Sequence, residues 1–71
     1  MDMREPKTTG QILKEALARE QDAHDFYAGM ARQCHVDFIR ELLEKLGNEE
    51  ARHIAMVEAM ISRLHLGKSV M

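Results

Sequence analysis

Tryptophan is absent from this sequence, and proline and cysteine each occur once, the cysteine as Cys34. A single cysteine excludes an intrachain disulfide framework and any four-cysteine site of the zinc-ribbon or rubredoxin type. Because nothing indicates a need for disulfides, we expect a reducing compartment and a cytoplasmic protein. Cys34 itself is best interpreted as a small core residue near a turn, since no fixed base beside it indicates an activated thiolate.

Long apolar runs and an excess of charge of one sign are also missing. No stretch approaches the roughly 18 apolar residues of a membrane span, and the opening MDMREPKTTG lacks the apolar core of a signal peptide. The net charge is −2 with acids and bases interspersed, so there is no basic stripe to follow a phosphate backbone. We therefore expect neither a membrane nor a nucleic acid as partner.

The residues that are present favour helices. Apolar side chains recur at steps of three and four along two long segments, and Ala, Leu, Met, Glu, Lys and Arg are abundant. The pattern predicts an all-α fold in one domain, residues 1–71. Helix 1 is expected over about 9–34, a turn over about 34–37 and helix 2 over about 38–66, with flexible ends. The two helices form an antiparallel hairpin.

Local signals mark the helix ends. Thr8-x-x-Gln11 has the form of a capping box, Asp37 is a good N-cap for helix 2, and Gly67 can terminate that helix. Gly47-Asn48 could end one helix and begin another. The apolar stripe stays in phase across this dipeptide, however, so the sequence favours one continuous helix.

A hairpin of 71 residues is too short to cover its own apolar stripes. Pairing two chains into a four-helix bundle would bury them. We therefore expect a homo-oligomer, a dimer at minimum.

Three polar residues interrupt the apolar stripes. Glu20 falls in the stripe of helix 1, while Glu50 and His53 fall in that of helix 2 as a Glu-x-x-His motif. A chain reversal near His35 puts Glu20 and Glu50 each fifteen residues from the bend, about 22 Å along the helix, and so at the same level. Either the three are metal ligands, or the glutamates are solvated edge residues and His53 is a satisfied core histidine; spacing alone leaves both open.

The remaining histidines are weaker candidates. His24 lies one turn after Glu20, His35 is expected to be exposed in the turn, and His65 lies near the C-terminal end of helix 2, where the helix dipole favours a cation.

A two-fold dimer would collect four glutamates and two histidines at its centre. Four-helix di-iron proteins use this set, a Glu from each of two helices and Glu-x-x-His from each of the other two. Four carboxylates balance two divalent cations, and mixed carboxylate and imidazole ligands suit iron or manganese better than a thiolate-rich zinc site.

The runs ALAREQDAHDFYAGMA (16–31) and LLEKLGNEEARHIAMVEAM (42–60) resemble the two helices of a rubrerythrin-type half-domain of the ferritin-like superfamily. The likeness is strongest to the encapsulated ferritins, whose two-helix chains pair to build a ferritin-like four-helix bundle. The resemblance implies a di-iron ferroxidase that oxidises Fe(II) to Fe(III) for storage or detoxification, with Mn²⁺ or Zn²⁺ as substitute metals. It also implies a homodimer or a ring of dimers, and an encapsulin shell as partner and compartment.

The same resemblance implies roles for individual residues. Glu20 would be a terminal ligand, Glu50 a ligand bridging across the dimer axis, and His53 the nitrogen ligand. Tyr27 would hydrogen-bond a ligand carboxylate, unless it is an ordinary core aromatic.

The sequence also departs from the encapsulated-ferritin pattern. It stops at LGKSVM, where those proteins carry a further helix and a shell-docking tail, and position 19 is Arg, so only Asp22 remains of an acidic iron-uptake site. Two alternatives stay open: a rubrerythrin-like peroxide reductase with an external electron donor, and a metal-free helical interaction module.

Overall fold

The chain forms two antiparallel helices joined by a short turn. The computed structural model describes the backbone of residues 6–70 and the side chains of residues 6–65. Helix α1 spans Thr9–Gln33 and helix α2 spans Asp37–Val70, with no strand in the described range. The predicted all-α hairpin is confirmed, and the predicted flexible ends at 1–5 and 71 lie outside the described residues.

Helix α1 begins where the capping box predicted. The Thr8 backbone N–H donates to Gln11 Oε1 at 2.8 Å, and the Gln11 backbone N–H donates to Thr8 Oγ1 at 3.1 Å. These reciprocal bonds satisfy two backbone donors that the first turn leaves without helical partners. At the other end, Cys34 is extended (φ −91°, ψ 127°), which ends the helix, and Arg32 in the last turn faces the negative end of the dipole.

The start of α2 differs by one residue from the prediction. Asp37 is the first helical residue rather than the N-cap, and the Arg40 backbone N–H already bonds to the Val36 carbonyl at 2.9 Å. The Asp37 carboxylate still lies in the first turn, where the helix dipole favours a negative charge. It also accepts a bond from Arg40 Nη2 at 3.0 Å, an exposed pair one turn apart on the helix.

Helix α2 runs without interruption through Gly47-Asn48, as the phase of the stripe predicted. It also continues past the predicted stop at Gly67, so the expectation of an end near residue 66 is wrong. The physical reason is that no described glycine has a positive φ, so Gly67 does not adopt the left-handed conformation that closes a helix.

The hairpin is a single layer of helices. Its shortest dimension is 12 Å, about one helix diameter. Among the described apolar side chains only Ala31 is buried, while Phe26 and Phe38 are 58% and 73% exposed. The accessible surface is 5892 Å², whereas a compact monomer of 8.2 kDa would expose about 4,500 Å². One hairpin therefore leaves about 1,400 Å² more surface in water than a closed domain would.

Candidate metal centre

Three side chains from the two helices meet at mid-height of the hairpin. Glu20 on α1 lies across from Glu50 and His53 on α2, and one ligand atom from each lies within 4.8 Å of the other two. His53 Nδ1 is 3.4 Å from Glu20 Oε1 and 3.3 Å from Glu50 Oε1. The structure thus brings together the three residues that the sequence selected, because equal distances from the turn put both glutamates at one level.

Glu50 gives the clearest indication that the cluster can hold a cation. Its Oε1 atom is buried and has no hydrogen-bond partner, since the His53 contact is within ion-pair distance but lacks hydrogen-bond geometry. The adjacent Glu20 carboxyl, with which Glu50 can share a proton, raises the pKa of Glu50; burial and the Glu20 charge act in the same direction, and His53 acts against them. A buried carboxylate oxygen without a partner is costly. A cation at this point would satisfy it, so the residues present fit a metal.

The cluster is accessible on one side. The side chains of Glu20, Glu50 and His53 are 30%, 20% and 43% exposed. Two carboxylates and one imidazole can hold one ion, but two ions need a larger set.

The exposed side of the cluster coincides with an apolar face. At 100° per residue, Ile12, Phe26 and Met30 lie about 80–120° to one side of Glu20. Leu42, Met56 and Met60 stand at the same sequence offsets from Glu50, namely −8, +6 and +10. All are at least 36% exposed. We define the apolar face by eight residues: Ile12, Phe26, Met30, Phe38, Ile39, Leu42, Met56 and Met60. In an antiparallel pair, an equal rotation away from the helix–helix contact, measured along each chain's own direction, leads to the same face of the hairpin. The exposed apolar residues of α1 and α2 therefore share one face. His53, three residues after Glu50, lies on this face as well.

Tyr27 lies two turns after Glu20 on α1 and does not bond to the cluster. Its ring contacts Phe26 edge to face, with centroids 5.4 Å apart and an interplanar angle of 70°. Within the described residues its hydroxyl makes no hydrogen bond to Glu20, Glu50 or His53. The predicted support of a ligand carboxylate by Tyr27 stays a prediction.

The other polar candidates lie away from the cluster. His24 Nδ1 is 3.3 Å from Asp25 Oδ1, His35 is exposed near the turn, and the Cys34 thiol donates to the Val36 carbonyl at 3.6 Å. A cavity of about 490 Å³ on the turn-proximal half is lined by His24, Cys34 and His35 together with the small Ala28, Ala31 and Gly47. The sequence did not lead us to predict this cavity. The pattern that could have indicated it is the presence of small residues at facing positions of the two helices.

Comparison with known proteins agrees with this geometry. The chain matches the rubrerythrin family over residues 11–71, and rubrerythrin-type domains generally bind a di-iron centre. No curated protein and no solved structure matches it significantly. Over the part of the chain that the structure describes, neither helix has both the length and the apolar character to cross a membrane. With 61 of its 71 residues matched and a Glu, Glu, His cluster between its helices, the chain belongs to the rubrerythrin family, within the ferritin-like superfamily.

Proposed function

We propose that the chain is a ferroxidase whose di-iron site is shared across a two-fold dimer, and that it serves iron storage or detoxification. The observation that carries the proposal is the convergence of Glu20, Glu50 and His53, with the buried Glu50 Oε1 left without a partner. Two copies of this cluster supply four carboxylates and two imidazoles, the ligand set of four-helix di-iron proteins.

Pairing is favoured by the surface as well as by the ligands. The cluster opens onto the apolar face, so a second copy placed there would complete the ligand set and cover the exposed apolar residues. A standard protein interface removes about 800 Å² from each partner, which is less than the surplus of about 1,400 Å² on one hairpin.

Each ligand contributes through its chemistry. Glu50, which is more buried than Glu20, and Glu20 itself would hold the ions through their carboxylate oxygens. The neutral imidazole of His53 supplies a nitrogen donor without adding negative charge. Four carboxylates balance two divalent cations and favour Fe(III) over Fe(II), which assists oxidation.

When bound, the iron pair supplies the electrons for reduction of O₂ or peroxide. With O₂ as oxidant, two Fe(II) substrate ions become Fe(III) while O₂ gains two electrons and two protons and becomes H₂O₂. With H₂O₂, the same two electrons and two protons give two molecules of water. The protein's own residues hold the ions, balance their charge and exclude bulk water from the face that the second copy covers.

An anaerobic Fe(II) titration followed by admission of air tests this function. We expect saturation at two Fe(II) per dimer and rapid formation of Fe(III) on aeration. Glu50→Ala and His53→Ala should abolish the oxidation while retaining helicity, because each substitution removes two ligands from a shared centre. Glu58→Ala, which truncates an exposed glutamate on the same helix, should oxidise iron like the parent chain. Parent rates in either ligand variant would refute the assignment.

Peroxide reduction is the second candidate function, favoured by the family match. It uses the same residues and needs an external electron donor. Comparing O₂ with H₂O₂ as oxidant for the Fe(II)-loaded protein separates the two. A purified chain that binds no iron or manganese would instead favour a metal-free interaction module.

A further inference from the structure

Two of the three exposed apolar residues of α1 are symmetric about the level of the Glu20, Glu50 and His53 cluster. Ile12 and Met30 lie nine residues either side of position 21, which directly follows Glu20. Phe26 lies five residues after that position, and the small Ala16 lies five before it. An α1 helix stacked antiparallel on a second α1, centred at position 21, would therefore set Ile12 against Met30 and Phe26 against Ala16.

Helix α2 has the same symmetry about the same level. Leu42 and Met56 lie seven residues either side of position 49, which directly precedes Glu50, and Phe38 and Met60 lie eleven residues either side of it. Because the two helices run in opposite directions, the residue after Glu20 and the residue before Glu50 are at one height. A single two-fold axis perpendicular to the helices thus pairs apolar with apolar residues on both.

The other face-to-face arrangement has its two-fold axis parallel to the helices and stacks α1 on α2. Reflection about the turn would then place Ile12, Phe26 and Met30 level with Glu58, Glu44 and Arg40, which lie at offsets +8, −6 and −10 from Glu50 and so on the opposite face of α2. The apolar residues of the two copies would therefore be offset in height, whereas the perpendicular axis brings them to the same level. The pattern of the apolar face therefore favours the perpendicular axis, with a second copy of this chain as the occupant.

Arg19 interrupts the apolar face at its centre. It stands seven residues from both Ile12 and Phe26. Neither Arg19 nor Asp22 makes an ion pair within the described residues. Covering the face would desolvate the Arg19 guanidinium, which is costly unless an acid meets it. The perpendicular axis places Arg19 within one residue, about 1.5 Å along the helix, of Asp22 on the second copy.

We propose that Arg19 and Asp22 form two reciprocal ion pairs across this axis and thereby set the orientation and register of the dimer. The inference rests on the shared centre proposed above. The same axis brings the two Glu49 side chains together beside the four ligand carboxylates. The ion pairs between Arg19 and Asp22 attract the two copies to each other at a level where the Glu49 and ligand carboxylates would otherwise repel.

Charge reversal in the full chain tests this pairing by sedimentation equilibrium. Arg19→Glu and Asp22→Lys should each weaken the homodimer about tenfold or more, since each replaces two attractions by two repulsions. Mixing the two single variants should restore parent affinity as a heterodimer, because acidic and basic pairs then face each other. The double variant Arg19→Glu/Asp22→Lys should also regain parent affinity as a homodimer. Native mass spectrometry distinguishes the heterodimer from the two homodimers by mass.

Lys14→Glu and Asp25→Lys are the matched controls, because they make the same charge changes on the exposed opposite side of α1. Parent-like affinity in both controls supports the pairing, and circular dichroism confirms that all variants remain helical. A dimeric parent whose affinity is unaffected by the Arg19 and Asp22 changes, or failure of the mixture to recover, would overturn the ion pairs alone. A parent that stays monomeric with and without Fe(II) would refute the shared centre itself.

Discussion

Metal binding should raise the melting temperature of the chain substantially. The cluster of Glu20, Glu50 and His53 forms only in the folded hairpin, because its members come from two helices. A divalent cation would therefore bind the folded state in preference to the unfolded chain. It would also lie next to Glu50, which has a buried oxygen without a partner and a raised pKa.

The magnitude follows from mass action and chain length. At a free concentration one hundred times Kd, binding to the folded state stabilises it by about 2.7 kcal/mol. For a domain of 71 residues, 1 kcal/mol shifts Tm by about 4–8 °C. The expected rise is therefore about 11–22 °C.

Thermal unfolding monitored by circular dichroism at a fixed protein concentration measures this shift. The metal is Mn(II) in air or Fe(II) under anaerobic conditions. Glu50→Gln and His53→Ala should lose the metal-dependent rise. Glu50→Gln should melt no lower than the parent without metal, since it removes a carboxylate that the fold disfavours as an anion. Glu58→Gln makes the same chemical change outside the cluster and should keep the full rise. A parent Tm unmoved by either metal at saturating concentration would refute the metal-site assignment.

Three further predictions concern stability without metal. The raised pKa of Glu50 means that this residue favours the folded state in its protonated form, so the stability of the chain should fall as pH rises from about 4.5 through the raised pKa. The slope of Tm against pH should flatten in Glu50→Gln, and an unchanged slope would contradict the pKa assignment. Gly47→Ala should stabilise the hairpin by about 1 kcal/mol in urea unfolding, since a Cβ there would meet Tyr27 Cβ at an ordinary 3.6 Å and alanine favours helix; a lower midpoint would show that the contact is too tight. Thr8→Ala should cost about 1 kcal/mol in the same assay through loss of the cap, whereas no change would mean that Gln11 and water satisfy the first turn.

The local features of the fold were predictable because they depend on neighbouring residues. The capping box at Thr8 needs only Gln11, and both lie within one turn. The continuity of α2 through Gly47 followed from the phase of the apolar stripe. The C-terminal boundary was missed because glycine permits the left-handed conformation at position 67 without requiring it.

The candidate site was predictable to the level of its residues for a topological reason. In an antiparallel hairpin, residues at equal distances from the turn lie at one height, so Glu20 and Glu50 had to be level once the bend was placed near His35. Their convergence with His53 to within 4.8 Å followed from the phase of each stripe. The role of Tyr27 was not predictable in this way, because a hydroxyl's bonding depends on the direction of its side chain.

By itself, the sequence determined the two helices, their hairpin arrangement and the three ligand candidates, since helical periodicity and loop length are properties of the chain alone. Only the tertiary structure decided which oxygen of Glu50 is buried without a partner, which face of the hairpin is left apolar, and that a cavity lies on the turn-proximal half. These depend on packing of one helix against the other, where rotations of a few tens of degrees and side-chain rotamers determine what water can reach.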